Sequence, residues 1–548
     1  MLTFQENMVQ DILPKWERWA YWVTGIYGVY YCWWRVFIEG DALRKRHLHF
    51  GLRKNWSFLD RSYDFSDNDW LQWMIDLKVH LMLCLIHIAT SQICRLLRLS
   101  LSVRLCGLLL CDLSCLCVIF GYKVVVFFLF KVLLVYLISQ LGSVAGIWIV
   151  LGADIITLTL SGFMRAQSLF LELSKQSQFY PAIGFLFIKL ISFGVDNAQI
   201  VRKNLQNQTT DVPSGTTLTE KKITSTDDIT QSNETPMTGN TKSSLLHLLE
   251  SLVYLFYLPS FIYGPLIMFE DFRLQIKASF AAAEPSPTFL PKNCINILKH
   301  LMRLVFWMLF MEFSLHYLYF NAIAYNSALK KLSFCAVGGI VHLLGQFFTI
   351  KYVVFYGFGG QLGRFDGINP YPEPRCINVL SCYIDVWKNF DTGLHKFLKT
   401  YLYIPVGGSR HGLIRQIASL AVSFLFIFLW HGGTGRLFIW SFGNFLVCSI
   451  EQLGRTAERS PIGQRLVSVI SPAMQLRMKC LLLAFSYITY SLQAFFFFFH
   501  GYEARIMCQR LVVTSTWLQF GCFVGVIYAC IHNAKFMDCK LGKRKKFS

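Results

Sequence analysis

Long apolar runs recur from one end of this chain to the other, at about 16–38, 71–94, 103–120, 123–141, 144–164, 180–200, 245–269, 295–322, 332–356, 413–431, 435–453, 476–499 and 512–532. The hydrocarbon core of a bilayer takes about 20 such residues per helix. No water is present there to satisfy a peptide group, so a run of this kind crosses as a helix with its hydrogen bonds made internally. Only 15% of the 548 residues are charged while 54% are hydrophobic, which excludes a string of soluble domains. The expectation is an all-α integral membrane protein with about ten to twelve membrane-embedded helices, some of them re-entrant. The N-terminal apolar run is too long and aromatic for a secretory signal and reads as an uncleaved first span.

Three stretches interrupt this pattern. Residues 39–69 are polar and basic and end in Tyr63-Asp64-Phe65-Ser66-Asp67-Asn68-Asp69-Trp70, a mixture that fits a segment lying on the membrane surface. Residues 202–243 are rich in Thr, Ser, Asn, Gln and Lys and contain no aromatic residue, so they bury too little apolar surface to fold and read as a disordered loop. That loop divides N-terminal helices (1–201) from a second block (244–548) that ends in a basic tail. Residues 357–412 combine Pro, Gly, Asp and Arg between apolar runs. Irregular backbone at membrane depth survives only where it is buried in protein or lines a wet cavity, so a site is expected there.

The formal net charge is +20, carried by clusters beside the apolar runs such as Arg44-Lys45-Arg46, Arg53-Lys54 and Lys543-Arg544-Lys545-Lys546. Placed so, they answer to the positive-inside rule and to anionic membrane lipids rather than to nucleic acid. The tail is expected to be cytosolic, and Lys545-Lys546-Phe547-Ser548 matches the dilysine pattern of endoplasmic-reticulum retrieval as well as a simple basic tail. Many of the 17 cysteines, Cys84, Cys106, Cys111, Cys115 and Cys117 among them, sit inside apolar runs and read as small hydrophobes.

Chemistry-bearing residues concentrate late in the chain. His431, in Trp430-His431-Gly432-Gly433, closes an apolar run. Intramembrane ionisable residues mark function more often than not, although a histidine bonded to a neighbouring helix is the plainer reading. In Trp387-Lys388-Asn389-Phe390-Asp391-Thr392-Gly393-Leu394-His395, Asp391 and His395 would share one helix face, or Asp391 would cap the helix beneath an interfacial His395. In Tyr403-Ile404-Pro405-Val406-Gly407-Gly408-Ser409-Arg410 the glycine amides with Arg410 would meet an anion, or form a turn before the next span. A histidine near neutrality suits a general base for acyl transfer from a thioester, where an amine or hydroxyl sheds a proton and an oxyanion must be stabilised. Apolar surroundings would take a fatty chain at about 0.8 kcal/mol per buried CH₂.

Taken in order, Arg364-Phe365-Asp366-Gly367, Pro374-Arg375-Cys376, the Trp387–His395 stretch, Tyr403–Ser409 with His411-Gly412, and Trp430-His431-Gly432-Gly433 resemble the membrane-bound O-acyltransferase family, within it the Hedgehog acyltransferase branch. The resemblance implies a helix bundle around a through-membrane tunnel, palmitoyl-CoA as donor, and as acceptor the N-terminal cysteine of a secreted signalling protein of the Hedgehog type, in the endoplasmic reticulum membrane. It implies that His431 and Asp391 are the catalytic pair and that Trp387 and Asn444 lie near the acyl tunnel, with His395 and Arg410 as further substrate-side candidates. It also implies that Cys376 matches a haem-iron ligand. Non-catalytic relatives in the branch lack the histidine, and many members of the wider family carry Asn where Asp391 stands. A lipid or glycerol hydroxyl as acceptor, a transporter, and a silent scaffold are the competing readings.

Overall fold

The computed structural model describes residues 12–46, 51–159, 176–210, 239–261, 264–281, 294–324 and 327–546. Its helices in chain order are α1 (Lys15–Lys45), α2 (Asn68–Leu96), α3 (Leu101–Phe120), α4 (Tyr122–Gln140), α5 (Val144–Thr159), α6 (Gln176–Thr210), α7 (Gly239–Phe256), α8 (Phe269–Ala281), α9 (Cys294–Ser314), α10 (Phe320–Ala324) and α11 (Phe334–Phe365). After an irregular stretch follow α12 (Tyr383–Phe390), α13 (Thr392–Leu398), α14 (Ile404–Val406), α15 (Leu413–Trp430), α16 (Gly435–Arg459), α17 (Pro461–Val469), α18 (Pro472–Phe498), α19 (Gly501–Cys508) and α20 (Trp517–Lys546).

Ten of these helices are long and apolar enough to cross a membrane, so the chain is a multi-pass, all-α membrane protein. The bundle is built around two of them. The apolar windows of α6 and α11 are 72% buried against 17% for α9, which puts α6 and α11 at the centre and α9 on the rim. α1 is not among the ten, yet it packs between α11 and α20 and turns Trp16, Trp19, Val23, Ile26 and Tyr30 outward.

Residues 39–69 do not form one surface segment. α1 runs on to Lys45, and Leu52–Lys54 (β1) pairs antiparallel with Ser62–Asp64 (β2). The hairpin docks on protein: buried Asp64 accepts the amides of Asn321 and Ala322 at 3.1 and 3.0 Å, and Tyr63 donates to Glu312 at 2.9 Å. Trp70 Nε1 donates to the same Glu312 oxygen at 2.7 Å. Asp67 caps α2 through the Trp70 amide and pairs with Lys351 of α11 at 2.9 Å, which fixes the entry to α2 against the centre of the bundle.

The polar loop expected over 202–243 is narrower than its composition suggests. α6 continues to Thr210 and α7 begins at Gly239; the remainder, 211–238, lies outside the described residues. The run expected as a span over 245–269 stops at Phe256, where Pro259 in a short turn (Leu258–Ser260) ends the helix.

A buried ionic cluster ties four segments together. His87 of α2 bridges Asp112 of α3 at 2.5 Å and Asp366, just past α11, at 2.8 Å. Tyr257 donates to Asp366, and the Leu258 amide to Asp112 at 3.3 Å. Removing one member of such a group leaves a charge uncompensated away from water, at a cost of about 3–5 kcal/mol. His87→Leu is therefore expected to lower the melting temperature of the detergent-solubilised protein by several degrees, measured by intrinsic fluorescence. A wild-type melting curve would show that the cluster carries no fold stability.

Candidate active site

α15 is helical because Leu413–Leu429 is almost continuously apolar, and it stops because Gly432 and Gly433 take φ of +103° and +63°. His431 is the residue at that stop, its amide still bonded to Ile427 O at 3.0 Å. Its ring lies among Trp430, Trp440 and Phe497, with centroids 4.8, 5.3 and 5.5 Å away. Among the described residues neither ring nitrogen has a hydrogen-bond partner, so aromatic walls rather than hydrogen bonds set its orientation. Burial, reinforced by Arg436, pushes this imidazole, which sits in the turn between α15 and α16, down to about 4. It is therefore neutral at pH 7 and able to accept a proton.

Asp391 occupies the joint between α12 and α13. It is extended (φ −126°, ψ 92°) and caps α13, taking the Leu394 amide at 2.8 Å on one oxygen. The other oxygen accepts Tyr356 Oη of α11 at 2.7 Å. Burial raises its pKa, and the Leu394 amide and the Tyr356 hydroxyl oppose that rise. Gly393 explains the local sequence: a Cβ there would stand 2.3 Å from Leu266 O, so Asp391-Thr392-Gly393 admits the turn only because the third residue has no side chain.

These two elements face one cavity of about 430 Å³, within the range of about 300–1,000 Å³ usual for small-molecule sites. His431, Asp391, Trp387 and His395 all line it. His395 is pushed down to about 4 by burial, then by Lys388 and Lys399, and is neutral. Asn444 is not on the lining but behind it. Its Oδ1 accepts Trp387 Nε1 at 3.2 Å and the Tyr383 hydroxyl, while its Nδ2 donates to Trp440 O at 2.6 Å. The amide thus fixes the Trp387 ring, which lies 6.1 Å from that of Trp440, a wall of the His431 niche. A π-helical turn (Lys399–Tyr403) brings Lys399 and Tyr403 to the same cavity.

Two expected residues lie elsewhere. Arg410 is exposed and off the lining; the Gly408 amide is taken by Ser419 Oγ at 3.0 Å, and of that loop Ser409 lines the cavity. The cationic wall is made by Lys388, Lys399 and Arg455. Cys376 is exposed at the start of a short turn (Ile377–Val379), also off the lining. Its accessible thiol is the group that would ligate the iron of a haem, were one bound there. Among the described residues no group of three or more His, Cys, Asp or Glu side chains is placed to hold a metal ion.

Sequence reasoning missed Tyr356, Tyr383 and Trp440. The one available signal was Tyr352 with Tyr356, two hydroxyls at i,i+4 in an apolar run, both of which line the cavity.

The sequence model of the membrane-bound O-acyltransferase family matches residues 182–466, which hold His431, Asp391, Trp387, His395 and Asn444 but not Phe497 of the His431 niche. Over 238 residues the chain is 35% identical to protein-cysteine N-palmitoyltransferase HHAT of Mus musculus, covering 43% of this chain and 46% of that one. It is 31% identical over 220 residues to protein-cysteine N-palmitoyltransferase Rasp of Drosophila melanogaster, covering 40% and 42%. It is 29% identical over 192 residues to membrane-bound O-acyltransferase gup1 of Schizosaccharomyces pombe, covering 34% and 30%. Each alignment spans under half the length of the relative it matches.

Tyr356 offers a clean test of how the Asp391 carboxyl is held. Phenylalanine keeps the ring and the Leu394 cap and removes one hydrogen bond to a carboxylate, worth about 1.5–3 kcal/mol. Tyr356→Phe is expected to lower kcat for acyl transfer by about tenfold or more with the donor KM little changed. Wild-type kcat would mean that the Asp391 orientation is set without Tyr356.

Proposed function

The chain belongs to the membrane-bound O-acyltransferase family, and from that premise we propose that it transfers palmitoyl from palmitoyl-CoA to the N-terminal cysteine amine of a secreted signalling protein of the Hedgehog type, in the endoplasmic reticulum membrane. The observation that carries this reading is the meeting of His431 and Asp391, from separate elements, on one largely apolar cavity with a cationic wall. The two relatives named as protein-cysteine N-palmitoyltransferases support the acceptor.

The alkyl chain lies against the apolar lining, where each buried CH₂ contributes about 0.8 kcal/mol. Lys388, Lys399 and Arg455 are the groups suited to the phosphates of coenzyme A. The acceptor amine attacks the thioester carbonyl carbon as neutral His431 takes its proton. The tetrahedral intermediate collapses with loss of the coenzyme A sulfur, which recovers that proton from the imidazolium. Asp391, on the same cavity, is suited to accept a hydrogen bond from the neutral acceptor amine and so to hold it on the attacking side.

Similarity to gup1, whose name specifies no protein acceptor, favours one competing reading in which a lipid or glycerol hydroxyl is acylated. Labelled palmitoyl-CoA supplied to the full chain with a Cys-starting peptide, its N-acetylated form, and lipid separates the two. The expected product is a hydroxylamine-resistant amide on the free peptide alone, and His431→Ala is expected to lower turnover by about 10²–10⁴-fold. Label found only in lipid, or full turnover by His431→Ala, contradicts the proposal.

A haem bound through Cys376 belongs to the same reading. Acyl transfer changes no oxidation state, so such a haem would hold structure rather than take part in the reaction. The purified protein is expected to show a Soret band that Cys376→Ser removes; a band that persists in the variant would exclude Cys376 as the ligand.

A further inference from the structure

A second cavity, of about 490 Å³, opens between α1, α18 and α20 and shares no lining residue with the first. Its floor is apolar and aromatic, with Leu13, Leu476, Trp22 and Phe536. One wall is His532 of α20, 6% exposed, stacked on Tyr21 at 4.4 Å and edge-on to Tyr528 at 4.6 Å. Its Nε2 is buried and has no hydrogen-bond partner, a cost the bundle carries at this one wall.

Cations gather on the same cavity: Lys15 and Arg18 from the first turn of α1, Lys535 from α20. Among the described residues, the acids beside the cavity are already engaged. Glu17 takes a two-point contact from Arg477 at 2.8 and 2.6 Å and the Tyr21 hydroxyl at 2.6 Å, and Asp538 pairs with Arg375 at 3.0 Å. Among the described residues, those two acids are therefore matched by cations other than Lys15 and Lys535. Trp16 and Trp19 beside the cations point outward, and Val23 and Ile26 continue that exposed face along α1. Tryptophans and cations at one level, with an apolar face running away from them, describe the headgroup boundary of a bilayer.

We propose that this cavity holds one anionic phospholipid. Its phosphate lies among Lys15, Arg18 and Lys535, its glycerol backbone lies beside Trp22 and His532, and its acyl chains follow the outward face of α1. The lipid fills one end of the seam along which α1 and α20 already pack directly against each other.

Native mass spectrometry of the detergent-purified full chain tests this with phosphatidylinositol and phosphatidylcholine of matched chains. Wild type is expected to retain one phosphatidylinositol at concentrations where phosphatidylcholine is not retained. The double variant Lys15→Glu, Lys535→Glu is expected to bind it about tenfold more weakly. Should the double variant not fold, Lys535→Gln alone is expected to shift affinity in the same direction. Equal retention of the two lipids, or undiminished phosphatidylinositol binding by a folded variant, overturns the proposal. So does a Soret absorbance that these substitutions abolish, since the cavity would then hold a haem.

Discussion

Peptide groups inside a bilayer find their partners within the protein or not at all, and this constraint shapes the whole molecule. It makes every crossing a helix. It also means that the stretch between α11 and α15, with its irregular joints, has to be enclosed by the bundle. The joint at Asp391, the π-helical turn at Lys399–Tyr403 and the glycine reversal after His431 are all irregular backbone, and all surround the same cavity. A chain that must bury its irregular segments against one another brings their polar side chains together as a consequence.

Buried polar groups then fix what hydrophobic packing between helices leaves free. His87 with Asp112 and Asp366 locks the start of the irregular stretch to α2 and α3. Asp67 and Lys351 set α2 against α11, and Tyr356, one turn and a residue further along α11, reaches Asp391. Asn444 does the same from α16, holding the Trp387 ring on the cavity it shares with His431. Asp391 and Trp387 are thus positioned mainly through partners on spanning helices rather than through the segments that carry them.

Helix positions were legible in the sequence because a twenty-residue apolar run has few other uses. The ends were less so, for physical reasons that can be named. Gly357, Gly359, Gly360 and Gly363 read as helix breakers, yet α11 continues through them to Phe365. A Cβ on Gly359 would stand 2.3 Å from Pro259 O, so these glycines serve close packing and not a break. The polar residues up to Thr210 continue α6 although their composition reads as loop. At the site, His431, Asp391, Trp387 and His395 stood out as polar or aromatic groups in an unusual segment. Tyr356, Tyr383 and Trp440 did not, since tyrosine and tryptophan within apolar runs are ordinary. Arg410 was singled out from a glycine-rich turn whose Gly408 amide is in fact used by Ser419.

The central claim is that a neutral imidazole at position 431 meets a thioester inside the aromatic-walled cavity it shares with Asp391. Electron cryomicroscopy of the full chain with a non-hydrolysable palmitoyl-CoA analogue tests it most directly. The account predicts alkyl density along the cavity lining and the carbonyl-equivalent carbon roughly 3–4 Å beyond hydrogen-bonding reach of the His431 ring, where an attacking amine would fit between them. An alkyl chain lying outside the bundle, with the headgroup remote from residues 391 and 431, would contradict it.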